Sequence, residues 1–244
     1  MNRDAQDNLT LLLGATMLVV GISDLHLRYV KPAMQPLLVL SGVVLLAFGA
    51  RGVVSVLREL VGRAPAVAEG HADADDGHGH GPTRTAWLLV LPLLVLSLVA
   101  PPSLGAFAAA RSETSVPRPT FALPPLPAAT GGAVELTLTD YYSRVLYDPD
   151  SLQGATLRLS GFVTPVDGRW FVTRMALACC AADGRPIKVL TAGAPAQDVP
   201  DSDAWVEVLG TYTRPQSPAE GEKAVPVLEL MSVRPIATPR QQYE

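Results

Sequence analysis

Residues 34–50 read MQPLLVLSGVVLLAFGA, seventeen positions without one charged side chain, between Lys31 and Arg51. A helix of that length rises about 25 Å, close to the roughly 30 Å of hydrocarbon that an apolar span must cross. Working outward, Leu9 to Ser23 is a second apolar block. It meets Asp24, but Leu25, Leu27 and Tyr29 let the helix continue with Asp24, His26 and Arg28 near an interface. Lys31 and Pro32 then leave only a short turn, so the two spans are expected to be antiparallel neighbours. Beyond Arg51, the apolar positions Val53, Val54, Val56, Leu57, Leu60 and Val61 alternate with Arg58 and Arg63. That pattern suits an amphipathic continuation leaving the bilayer, its long cationic stems lying along apolar surface.

Residues 64–83 are rich in Ala, Gly, Asp and His, with too little apolar surface to build a core, so a flexible loop is expected. A third block, Ala86 to Ala100, is interrupted by Pro92 and closed by Pro101 and Pro102, with apolar character resuming from Leu104 to Ala110. Fifteen helical residues reach only about 22 Å, so this span needs the later residues or a thinned bilayer. Ala106-Phe107-Ala108 after an apolar stretch also fits a displaced leader-cleavage pattern, although nothing forces cleavage. Counting Lys and Arg near the spans, Arg3, Arg51, Arg58, Arg63 and Arg84 fall on one side and Arg28, Lys31, Arg111 and Arg118 on the other. The margin sets the N-terminus and the His-containing loop in the cytoplasm and the C-terminal part outside.

The whole chain is 48% hydrophobic and 17% charged, below the roughly 25% charge of an ordinary soluble domain. The deficit lies in the first half. From Val134 onward, short alternating stretches predict strands at Thr156–Val163, Trp170–Cys180, Ile187–Leu190, Trp205–Thr213 and Val225–Val233. Turn chemistry stands at Asp167-Gly168-Arg169, Asp183-Gly184 and Glu220-Gly221, and Asp140–Leu146 suits a short helix. Five strands point to a small OB-like barrel, with a β-sandwich as the alternative. The expected organisation is two transmembrane helices with an amphipathic extension (1–63), a flexible His/Asp loop (64–85), a third transmembrane helix (86–110), a Pro-rich linker acting as a semi-rigid spacer (111–133) and a soluble β-rich domain (134–244).

A net charge of -4 without a dense Lys/Arg run excludes a phosphate-neutralising surface, so no nucleic acid is expected as partner. Lys188 is isolated, and Trp170, Phe171 and Trp205 fit core positions rather than a stacking face. No hydrolase triad, phosphate loop or paired-carboxylate motif is present, so an enzyme is only the third reading, and then a thiol-dependent one.

Three constellations could carry chemistry. Cys179-Cys180-Ala181-Ala182-Asp183 ends a strand and enters a turn. Adjacent Cα atoms about 3.8 Å apart lie below the usual disulfide span, so no ordinary staple forms. Deprotonated, the thiols beside a carboxylate suit a soft cation such as zinc, or thiol chemistry. The plainer alternative has one sulfur buried as a small hydrophobe and the other facing out by strand alternation. His71, His78 and His80, with Asp73, Asp75 and Asp76, form a second donor set in the loop, suited to weak capture of zinc or a similar ion. Asp24 with His26 is an ionisable pair at a membrane face. No histidine stands beside the cysteines, so a closed tetrahedral zinc site within the domain is not expected.

The order of parts resembles the bacterial YcgQ-like family of permease-associated membrane proteins. Tyr29-Val30-Lys31-Pro32 lies between two spans, Trp87 opens a third, and Leu152-Gln153-Gly154, Gly161-Phe162-Val163, Thr173-Arg174, Cys179-Cys180-Ala181-Ala182-Asp183 and Trp205-Val206 with Gly210 follow in order. The ending, Pro239-Arg240-Gln241-Gln242-Tyr243, matches that family's Pro-rich, Tyr-containing tail only loosely. The resemblance implies a multi-span membrane permease as partner, in a bacterial cell membrane, with metal or small-solute handling as the context. The expectation is an accessory permease subunit whose helices dock on the partner and whose β domain stands at its outer face. A stand-alone metal-binding or thiol redox membrane protein is the alternative.

Overall fold

The computed structural model describes residues 3–62, 91, 95, 102–114, 116, 118–120, 122–214 and 225–244. Two compact units divide the chain: Met1–His26 with Pro32–Pro101, and Leu27–Lys31 with Pro102–Glu244.

Among the described residues, the first unit is built mainly on helices α1 (Arg3–Ile22) and α2 (Gln35–Gly62). Pro36 sits in the first turn of α2, where its missing N–H removes no intrahelical bond. Hydroxyls inside the apolar helices bond back one turn, Thr16 to the Leu12 carbonyl at 2.9 Å and Ser41 to that of Leu37 at 2.8 Å, so neither of these two is left unpaired. The two helices pack backbone to backbone. A Cβ added at Gly49 would stand 2.8 Å from the Leu11 backbone nitrogen, and one at Gly14 would stand 3.0 Å from the Gly42 carbonyl oxygen. Small residues at such a seam are what let apolar helices approach closely. Away from it, Ile22, Leu37, Leu40 and Phe48 are exposed.

Two expectations change here. The first helix does not continue to Tyr29, because Ser23 donates its hydroxyl to the Val20 carbonyl (3.1 Å) and His26 Nδ1 donates to that of Ser23 (2.6 Å). These bonds satisfy the helix end, and Asp24–Arg28 turns as a 3-10 helix. The expectation of three spans is met only in part. Among the described residues one helical stretch, Pro32–Gly52, is long and apolar enough to cross a bilayer, and Gln6–Ile22 is a shorter apolar helix. Most of the third block, and the whole His/Asp loop with His71, His78 and His80, lie outside the described residues.

The second unit is built on a six-stranded mixed sheet: β1 (Val134–Glu135), β2 (Thr156–Val166), β3 (Arg169–Ala176), β4 (Arg185–Ala192), β5 (Trp205–Thr213) and β6 (Val227–Pro235). Their order is β1-β2-β3-β4-β6-β5, with β2 also paired to β5. The β1–β2 and β4–β6 pairs are parallel and the others antiparallel. Asp167 and Gly168 both have positive φ, 49° and 73°, as a two-residue hairpin turn matching strand twist requires.

One face of the sheet, with Leu157, Leu159, Val163, Val172, Val189 and Val208, forms the main core with helix α4 (Leu138–Tyr147). Leu138, Tyr141, Tyr142 and Val145 supply its buried stripe at helical spacing. The α4 N-terminus is capped by Thr137, which accepts from Asp140 N at 3.0 Å, and by the Glu244 carboxylate, which accepts from the amides of Leu138 and Thr139, each at 2.9 Å. A second cluster of Phe162, Met175, Leu177, Trp205 and Tyr243 is covered by the short helix α3 (Ala106–Arg111) through Ala106 and Ala109. Lys188 Nζ donates to the carbonyls of Ala109 (3.2 Å) and Ser112 (2.9 Å), so the isolated lysine closes the C-terminal end of α3.

The Pro-rich stretch is not a spacer leading away from this unit. Val116 and Leu126 pack on the main core, and the Pro124 carbonyl accepts from Arg144 at 2.8 Å. Arg144 is 1% exposed, and a buried guanidinium must find acceptors, here Pro124 and Asp140 at 3.2 Å. That requirement, with the apolar side chains, draws the proline segment onto the domain.

Candidate metal centre

Strand β3 ends at Ala176 and the chain turns through Ala178-Cys179-Cys180 into a single 3-10 turn, Ala181–Asp183. The cysteines therefore do not alternate across a strand, and neither is a core residue: Cys179 is exposed and Cys180 half-buried. Leu177, buried in the second cluster, anchors the entry to the turn.

Asp183 organises this turn. Its Oδ1 accepts from Ala178 N at 2.8 Å, and its Oδ2 accepts from Cys179 N at 2.8 Å, Cys180 N at 3.2 Å and the Cys179 thiol at 2.9 Å. Cys180 and Asp183 form a capping box: the Cys180 sulfur accepts from the Asp183 amide while the carboxylate accepts from the Cys180 amide. This is the arrangement that Ser-x-x-Glu makes at many helix starts, so C-A-A-D carried a local signal as a box with sulfur in the hydroxyl position.

The electrostatics follow from the same bonds. The Cys179 thiol and the converging backbone N–H groups hold the Asp183 carboxyl well below the usual carboxylate range. In return, the thiol is pushed up to about 11, first by its hydrogen bond to Asp183 and then by that to Cys180. A thiol held protonated at neutral pH is the reverse of an activated nucleophile. A divalent cation would invert that balance by replacing the thiol proton.

Two sulfurs and one carboxylate oxygen lie within 4.8 Å of one another, and the sulfurs are 3.6 Å apart. Tetrahedral zinc, with Zn–S near 2.3 Å, places two thiolates about 3.8 Å apart. The three donors therefore come close to a metal-ligand arrangement without moving the backbone. Of the six metal-ligating candidates read from the sequence, Cys179, Cys180 and Asp183 are brought together, while His71, His78 and His80 fall outside the described residues.

Sequence reasoning missed what borders the turn. Val30 makes an antiparallel bridge with Cys180. Lys31 N donates to the Cys179 carbonyl at 3.0 Å, and Ala181 N donates to that of Tyr29 at 2.7 Å. Tyr243 Oη donates to the Arg28 carbonyl at 2.8 Å and accepts from Leu104 N at 3.0 Å. Tyr29, Val30 and Lys31 thus pair with the cysteine turn and Tyr243 with the neighbouring Arg28, and no local pattern announces pairings of this separation.

Residues 132–244 match the DUF1980 C-terminal domain family. No curated protein and no solved structure matches the chain. The DUF1980-like stretch contains the whole sheet, α4 and all three donors, whereas α3 and the segment Leu27–Lys31 lie before it.

Proposed function

We propose that this protein is a membrane-anchored accessory subunit of a multi-span permease in a bacterial cell membrane, and that its β unit presents Cys179, Cys180 and Asp183 to a soft divalent cation, zinc foremost. The observation that carries the metal reading is the convergence of three donor atoms within 4.8 Å. The fold itself does not require sulfur there. Thiols are weak hydrogen-bond acceptors, and Ser or Asp caps a turn better than Cys, while Cys179 contributes nothing to either core. Three protein donors leave a tetrahedral ion one open position, which suits capture and hand-over better than permanent storage. The high thiol pKa makes binding release a proton, so affinity rises about tenfold per pH unit for each thiol proton displaced.

The permease partnership rests on the resemblance of the chain to permease-associated proteins. The exposed apolar residues of α1 and α2 suit a lipid or helical surrounding. The Lys/Arg balance, with Arg28, Lys31, Arg111 and Arg118 together, favours placing the β unit outside the cytoplasm. We read the sheet as an OB-like barrel. The pairings β2–β3, β3–β4, β4–β6, β6–β5 and β5–β2 run through five strands and return to the first, which supports closure.

The test is purification from cross-linked native membranes followed by metal analysis. The expected result is one zinc per chain, lost in both Cys179→Ser and Cys180→Ser, with a multi-span protein cross-linked to the chain. Zinc content indifferent to both substitutions overturns the metal reading. Recovery of the chain alone overturns the partnership.

A further inference from the structure

We infer that the connector Leu27–Lys31 reads the occupancy of the cysteine turn: a bound cation clamps the connector against Cys179–Ala181, and its departure loosens the pairing. This rests on the metal reading above and adds a regulatory consequence to it.

The geometry turns on one peptide plane. The peptide linking Cys179 to Cys180 directs its N–H to Asp183 Oδ2 (3.2 Å) and its carbonyl to Lys31 N (3.0 Å). A trans peptide is rigid and planar, so its two ends rotate together. The plane cannot turn away from the carboxylate without also breaking its bond to the connector. On the other side of Cys180, the Ala181 amide donates to the Tyr29 carbonyl at 2.7 Å. The two connector bonds therefore flank the residue whose sulfur is a proposed ligand. A cation holding both sulfurs and Asp183 Oδ2 fixes the planes on which these bonds depend. Tyr243, buried in the second cluster, holds the connector at a third point through the Arg28 carbonyl.

The connector is the covalent joint between α1 and α2 in the sequence. Coupling of this kind is reciprocal: whatever loosens the connector must weaken the cation by the same factor.

The experiment is hydrogen exchange on the full-length, reduced protein in detergent, with and without zinc, beside a zinc titration of the same sample. If opening of the connector abolishes the site, zinc at one hundred times its Kd slows exchange of the Lys31 and Ala181 amides about 100-fold. Lys31→Pro, which removes one of the two donors, weakens zinc about 2- to 12-fold, the range for a single hydrogen bond. Tyr243→Phe provides a second, milder loosening should Lys31→Pro disturb the fold. Zinc bound at one per chain with Lys31 and Ala181 exchange unchanged overturns this inference and leaves the metal reading intact. No zinc bound in the titration overturns both.

Discussion

Cys179 is an exposed thiol, and exposure alone would make it the most reactive nucleophile in the protein. The hydrogen bonds at the turn predict the opposite. Its pKa rises from an ordinary 9.0 to about 11, which lowers the thiolate population at neutral pH about 100-fold. A more basic thiolate is intrinsically more nucleophilic, and a Brønsted coefficient of 0.4–0.5 returns about 6- to 10-fold of that loss. The net expectation is that Cys179 exchanges with an aromatic disulfide such as DTNB about tenfold more slowly than a cysteine in an unstructured peptide. The perturbation is Asp183→Asn in a Cys180→Ser background, so that one thiol is followed. Loss of the negative charge and of the thiol's acceptor should raise the rate at pH 7.5 about tenfold and bring the midpoint of the pH–rate profile from about 11 to near 9. Solvent screening at this exposed site makes these upper values. A Cys179 that outpaces the peptide while Asp183 is intact, or that slows further in Asp183→Asn, would refute the reasoning and return the site to thiol catalysis.

Two further predictions concern the frame that holds the site. Gly49→Val places a side chain where even a Cβ would stand 2.8 Å from the Leu11 backbone; the overpacking should cost about 1–3 kcal/mol and lower the helical melting temperature in detergent, and a transition matching that of the exposed-face control Phe48→Ala would mean the helices are not seamed at these glycines. Glu244→Ala removes the acceptor for the Leu138 and Thr139 amides, a loss of about 1–2 kcal/mol by analogy with other N-caps; it should lower the urea midpoint followed by the fluorescence of the buried Trp170 and Trp205, and an unchanged midpoint would show that the tail is not a cap.

Several parts of the molecule were legible in the residues because their causes are local. The uncharged run 34–50 becomes a helix wherever it lies, since leucine, valine and alanine leave no polar group but the backbone to satisfy. Asp167-Gly168 makes its turn because glycine and aspartate tolerate positive φ, and the strands on either side of it form where the alternation indicated, their ends moving by a few residues. The α4 helix extends past the expected Asp140–Leu146 to Leu138–Tyr147, because its first turn is capped by the distant Glu244, which no window around residue 138 contains. The seven-residue spacing of Gly14 with Gly21 and of Gly42 with Gly49 is a packing signal the sequence carries.

The sequence by itself determined that Cys179, Cys180 and Asp183 stand together, because three donors within five residues stay close in any turn. It also determined the apolar character of the first half. Only the tertiary structure decided that Asp183 spends its carboxylate on three backbone amides and a thiol, that the Pro-rich stretch folds back onto buried Arg144, and that Tyr29 and Lys31 pair with the cysteine turn while Tyr243 holds the neighbouring Arg28. Those pairings join residues that are as much as 215 positions apart. Their partners are chosen by which buried backbone groups lack a hydrogen bond once the sheet has formed, and that is a property of the assembled fold rather than of any stretch of it.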